Sequence, residues 1–170
     1  MSVSGEQAPK NPAEVLYTIA SHLPDQQGSD LAPETDAFVS QEPLEVFILK
    51  VHSRCNLACN YCYMYEKADQ GWRQQPKIMS ADTVIATANA ISTHAQAHAL
   101  PKVLAVIHGG EPLLAEKARP GFLQFLARTL RSAIETDQTK LQLGMQTNAT
   151  LLTPEILDIC REEGIQVGVS

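Results

Sequence analysis

"LEVFILKVHSRCNLACNYC", residues 44–62, joins a run rich in β-branched and aromatic residues to three cysteines spaced four and then three positions apart. The apolar part, 44–52, predicts a β-strand, and the cysteines fall in the loop leaving its carboxyl end. In parallel α/β architectures that end is where ligands gather. The position therefore favours a site, and the number raises a chemical question: what takes three thiolates rather than four?

Outward from this stretch, strand-like and helix-like segments alternate. "SADTVIATANAISTHAQAHA" (80–99) opens on Ser80, an N-cap residue, and is dense in alanine, predicting a helix. "KVLAVIH" (102–108) is nearly continuous in apolar residues, as expected of a strand covered on both faces. "GFLQFLARTLRSAI" (121–134) puts Phe122, Phe125, Leu126, Leu130, Ala133 and Ile134 on one helical stripe. "KLQLGMQT" (140–147) predicts a third strand. Thr153, Pro154 and Glu155 supply an N-cap, a first-turn proline and an acid at the positive end of the next helix, which Gly164 ends. "IQVGV" (165–169) is the fourth strand.

Such βα alternation implies a parallel α/β sheet with right-handed crossovers, either doubly wound or part of a (β/α) barrel. Local pattern does not separate the two. Ser170 directly follows an apolar strand that would lie at an open edge, so the expectation is a piece of a longer architecture with about four parallel strands.

Charge divides the chain at residue 43. Residues 1–43 carry seven acidic residues against Lys10, whereas 44–170 carry twelve of each sign. The first part also holds five of the ten prolines and reads as an acidic, largely flexible leader, with "AEVLYTIASHL" (13–23) a short amphipathic helix inside it. Neither part has the basic excess of a nucleic-acid binder. No apolar run approaches the roughly 18 residues of a membrane helix, and the amino terminus lacks a signal peptide's pattern. Clustered cysteines without a disulfide framework fit a reducing compartment, so the cytoplasm is expected.

Structural zinc wants four protein ligands, and a [4Fe-4S] cluster used only for electron transfer takes four thiolates. The remaining cysteine, Cys160, shares a helical face with Ile156 and Ile159 and reads as a buried hydrophobe. Cys55, Cys59 and Cys62 would thus leave one iron of a cluster open. An open Lewis-acidic iron can chelate the amino and carboxylate groups of a methionyl ligand, and an electron passed to the adjacent sulfonium breaks its C–S bond. The missing fourth thiolate would then be the place reserved for S-adenosylmethionine. Two other readings stand beside this one: zinc completed by His52 or His108, and cysteines buried on one face of a helix, which Arg54, Asn56 and Asn60 disfavour. His94 and His98, four apart, have metal-pair spacing, although an exposed or half-exposed helix face is the favoured reading.

The run C-x3-C-x-Tyr-C after a strand resembles the cluster motif of the radical S-adenosylmethionine superfamily. The resemblance implies a [4Fe-4S] cluster on Cys55, Cys59 and Cys62, with Tyr61 near the adenine. "HGGEP" (108–112) resembles the superfamily's Gly-Gly-Glu-Pro motif, which implies Gly109, Gly110 and Glu111 at the cofactor's amino group; read alone, it is also an ordinary βα turn. "MQTN" (145–148) and "VGVS" (167–170) resemble two further strand ends and imply Asn148 and Ser170 on the cofactor side. Ala149 stands where the family often has glycine.

Taken together, "KVHSRCNLACNYCYMYEKADQGWR" (50–73), "HGGEPLL", "MQTNATLL" and "GIQVGVS" resemble the cyclophane-forming maturases of ribosomal peptides and the related anaerobic sulfatase-maturating enzymes. That resemblance implies reductive cleavage to a 5′-deoxyadenosyl radical, hydrogen abstraction from a side chain and carbon–carbon crosslinking within a precursor peptide. It also implies an electron donor such as a flavodoxin or ferredoxin. No side chain is assigned as an acid or base, and Tyr65 and Trp72 are expected to order the loop over the cluster. The family's barrel has six βα units and a cysteine-rich C-terminal domain, so 44–170 is expected to be its N-terminal part, truncated after the fourth strand. A second expectation is a truncated fragment that binds the cluster, with or without the cofactor, and does no chemistry.

Overall fold

The computed structural model describes residues Glu42–Ser170. The expected acidic leader and its short helix lie outside the described residues. Strand β1 (Val46–His52) leads through the cysteine loop and a 3-10 turn (Gly71–Gln74) to helix α1 (Ala81–Ala97). Strand β2 (Lys102–Gly109), helices α2 (Leu113–Ala118) and α3 (Phe122–Ile134), strand β3 (Lys140–Thr147), helix α4 (Pro154–Glu162) and strand β4 (Ile165–Val169) follow.

The four strands pair in the order β1-β2-β3-β4, all parallel, with Ile48 opposite Val106, Val106 opposite Gly144 and Gly144 opposite Gln166. A doubly wound sheet reverses its order at a switch point. Here the strands step consecutively in one direction, which is how a barrel winds.

One face carries the core. Leu49, Val51, Val103, Ala105, Ile107, Leu143 and Met145 are buried with the helices' apolar residues in one cluster. The opposite face is open: Val46 and Ile48 are 54% and 63% exposed, and Leu104 and Val106 are only half-buried. This corrects the expectation for 102–108, since among the described residues β2 is covered on one face only. Leu104 and Val106 lie on the half-buried face, so this apolar run does not mark a strand covered on both sides here.

Local chemistry explains the helix ends. Ser80 Oγ accepts from Thr83 N–H at 3.1 Å, and α1 buries Val84, Ala88, Ile91 and Ala95 at helical spacing. Thr153 Oγ1 accepts from Ile156 N–H, Pro154 occupies the first turn, and Gly164 at φ +64° closes α4. Cys160 is buried, and burial pushes its thiol pKa up. In α3 the buried set is Phe122, Leu123, Leu126, Ala127, Leu130 and Ile134. The expected stripe is therefore displaced: Phe125 turns out to solvent while Leu123 and Ala127 turn in. Phe125 lies 100° around the helix from Leu126, and the smaller Ala127 permits closer packing.

Candidate metal centre

The turn after β2 is bound to the start of the cysteine loop. Gly110 N–H donates to the His52 carbonyl and Glu111 N–H to the Arg54 carbonyl, each at 2.9 Å. A Cβ on Gly109 would strike the His52 carbonyl, and one on Gly110 would strike the Arg54 carbonyl and the Tyr65 hydroxyl. Both glycines are thus required by the chain's own close approach. From the other side, the Arg54 guanidinium donates to the carbonyls of Trp72 (2.7 Å) and Arg73 (3.0 Å) and lies over the Trp72 ring at 4.9 Å. The Tyr65 ring meets Trp72 edge-on at 4.8 Å. Arg54 therefore holds the 3-10 turn against the loop.

Between these contacts Cys55, Cys59 and Cys62 line one cavity of about 260 Å³, together with Tyr65, Trp72 and Arg73. All three are free thiols, neither fully buried nor fully exposed. Among the described residues no three His, Cys, Asp or Glu side chains converge closely enough to hold one metal ion. His52 Nδ1 accepts from Arg54 N–H, His108 Nδ1 accepts from Gly109 N–H at 2.7 Å, and neither ring lines the cavity. Glu66 also borders this cavity, but no fourth thiol does, and a donor set of three thiols around a shared space fits a multinuclear centre with an open position.

The Tyr65 hydroxyl is buried and has no hydrogen-bond partner among the described residues. Burial, reinforced by the Cys55 and Cys62 sulfurs, pushes its pKa up to about 12, so it stays a neutral donor. A larger cavity of about 720 Å³ lies beside β1, bordered by Tyr63, Met64 and Ile78, and includes none of the three cysteines. Chemistry favours the smaller one.

Beyond Cys55 the loop meets the end of β3. Asn148 Nδ2 donates to Cys55 Sγ at 3.6 Å and to Asn56 Oδ1 at 3.1 Å. Asn56 Nδ2 in turn donates to Thr150 Oγ1 (2.7 Å), whose hydroxyl donates to Asn148 Oδ1 (2.6 Å). Behind this ring Glu111 is fully buried, its carboxylate accepting from Leu113 N–H (3.0 Å), Thr147 Oγ1 (2.7 Å) and Asn148 N–H (2.9 Å). The side chain expected to face an ammonium is instead turned inward, tying β2's end to β3's. Ala149 adopts φ +61°, the left-handed region, which accounts for glycine as the family's preference there.

Tyr61 is 80% exposed, and Ser170 donates its N–H to the Thr147 carbonyl at 3.2 Å. His94 and His98 lie with ring centroids 4.5 Å apart, and His94 also contacts Phe47 and the Leu44 carbonyl, outside the cysteine cavity. Asn56, Thr150 and the structural role of Arg54 escaped sequence reasoning. The signal at Asn56 and Arg54 was polarity beside the cysteines, which reveals neither a partner 94 residues away for Asn56 nor the carbonyls 18 and 19 residues on for Arg54.

The radical SAM superfamily model matches residues 49–170. A serine-type anaerobic sulfatase-maturating enzyme of Bacteroides thetaiotaomicron is 36% identical over 129 residues, covering 76% of this chain and 29% of the relative. A cysteine-type enzyme of the same description from Clostridium perfringens is 26% identical over 130 residues, covering 75% and 32%. The solved structure of native anSMEcpe with bound AdoMet superposes with a TM-score of 0.58 at 25% identity, covering 75% of this chain and 32% of that one. The chain spans less than a third of the length of these relatives. Three thiols after the first strand, the consecutive parallel sheet and the family match over most of the described residues lead to one conclusion: the chain belongs to the radical SAM superfamily of enzymes, whose cofactors are a [4Fe-4S] cluster and S-adenosylmethionine.

Proposed function

We propose that Cys55, Cys59 and Cys62 ligate a [4Fe-4S] cluster whose fourth iron takes S-adenosylmethionine. The observation that carries this reading is the single cavity lined by three partly exposed thiols, without a fourth. Bound together, cluster and cofactor supply a carbon radical on one-electron reduction; the protein supplies ligation, orientation and exclusion of water. Gly110 and Glu111 have their N–H groups engaged by the loop, whereas no donor among the described residues bonds the Gly110 carbonyl. That carbonyl is the group of the Gly109-Gly110-Glu111 turn that would accept from the cofactor's ammonium. The inward Glu111 carboxylate acts by holding the turn. Tyr61, exposed beside Cys62, is assigned to the adenine, with Asn148 and Ser170 on the cofactor side.

The substrate we assign is a precursor peptide that undergoes crosslinking of the cyclophane type, with a flavodoxin or ferredoxin as electron donor and the cytoplasm as setting. No helix among the described residues is long and apolar enough to cross a membrane. The second reading, sulfatase maturation, is favoured by the 36% identity to the Bacteroides enzyme. The two differ in product, since an aldehyde reacts with a hydrazide probe and a carbon–carbon crosslink does not.

Anaerobically reconstituted protein given S-adenosylmethionine and a strong reductant should form 5′-deoxyadenosine, measured by mass spectrometry, and Cys59→Ala should form none. Absence of product from wild-type protein with an intact cluster would contradict the reading for this chain.

A further inference from the structure

Of the three proposed cluster ligands, Cys55 alone receives hydrogen bonds from nitrogen donors in the described residues. Leu57 N–H donates to its sulfur at 3.4 Å and Asn148 Nδ2 at 3.6 Å. The Asn148 amide is not a free rotor. Its oxygen is held by Thr150 through both the hydroxyl (2.6 Å) and the N–H (3.0 Å), and its second N–H is taken by Asn56 Oδ1. Asn56 is fixed in turn by Thr150. The backbone beneath is pinned by the buried Glu111 carboxylate. A polar ring of three side chains therefore aims one N–H at one thiolate and fixes which end of the amide faces it, since Thr150 can donate to the oxygen but not to the nitrogen.

We propose that Asn148 is a potential-setting residue, whose amide hydrogen bond to the Cys55 sulfur raises the reduction potential of the cluster. This rests on the proposed ligation by the three cysteines. Reduction adds negative charge to the cluster and its thiolates, and an N–H directed at a ligating sulfur stabilises that charge. The effect is strongest where water is partly excluded, and Asn148 is half-buried. Asn148 thus acts on the cluster through a thiolate, not by contacting substrate. Because its N–H is also tied to Glu111 in the turn after β2, the cysteine loop, that turn and the end of β3 form one connected unit.

The test is an EPR-monitored redox titration of the full chain, reconstituted anaerobically without S-adenosylmethionine, so that the readout is independent of turnover. Asn148→Ala, which removes the donor but keeps the backbone bond to Glu111, should titrate at a more negative midpoint than wild type. Asn148→Asp, with an acceptor and added charge in the same shape, should fall further. Thr150→Val removes the hydroxyl that anchors the amide oxygen and Asn56 but keeps the backbone N–H bond to that oxygen, so it loosens the amide and should shift the midpoint in the same direction by less. A midpoint for Asn148→Ala equal to that of wild type overturns the proposal. If Asn148→Ala takes up no cluster, Thr150→Val decides, and an unchanged midpoint there overturns it as well. Failure of the wild-type chain to bind iron and sulfide would instead strike the ligation on which the proposal rests.

Discussion

Ala149 holds a left-handed conformation at φ +61° with its N–H bonded to Thr147 Oγ1 at 3.1 Å. That region costs an L-residue roughly 1–2 kcal/mol, partly offset by glycine's larger unfolded-state entropy. Ala149→Gly should therefore stabilise the chain by about 0.5–1 kcal/mol in urea denaturation of the metal-free protein. Tyr65 makes a second prediction. Its folded pKa, pushed up to about 12 chiefly by burial, lies above its ordinary value of 10.0. The folded state binds the proton more tightly, so its stability contribution is full below pH 10 and lost as pH rises from about 10 through 12. Tyr65→Phe should flatten that loss, as read from denaturation midpoints of the metal-free protein across the alkaline range. At this scale the three cysteines were legible as a candidate set, because their spacing within one loop brings them to one cavity. The inward turn of Glu111 was not, since its direction is decided by donors on β3 that local sequence does not announce.

Helix α3 starts at Gly121, which has no side chain to cap it, and the missing acceptor comes from α2. Glu116 is buried and accepts from Gly121 N–H (2.7 Å) and Leu123 N–H (2.8 Å). Glu116→Ala would leave two donors at a buried helix end, with an expected loss of about 1–2 kcal/mol by chemical denaturation; Glu116→Gln, which keeps one acceptor oxygen, should lose less. Ser80 and Thr153 cap their own helices from the adjoining position, which is why those starts could be read directly. Glu116 caps across the Arg119-Pro120-Gly121 bend, and no short-range motif encodes that reach. The stripe of α3 was displaced for a related reason: periodicity gives a face to within a residue, and packing against α1 and the sheet chooses between Phe125 and Leu123.

For the whole molecule, the alternation of strands and helices was enough for a parallel α/β sheet, while barrel and doubly wound topologies share that alternation. Pairing of β1 with β2, β2 with β3 and β3 with β4 decides between them. That order lines up the carboxyl ends where the cysteine loop, the turn after β2 and the Asn148 segment meet. The three contributions lie far apart in sequence, and hydrogen bonds from Glu111 and Asn148 join them into one site. The most direct test of that site is iron and acid-labile sulfide content after anaerobic reconstitution, measured for wild type and for each cysteine replaced singly by alanine. About four of each per chain are expected in wild type and in Cys160→Ala, with loss of the cluster in Cys55→Ala, Cys59→Ala and Cys62→Ala. Uptake of zinc without iron and sulfide, or loss of the cluster only when Cys160 is replaced, would contradict the account.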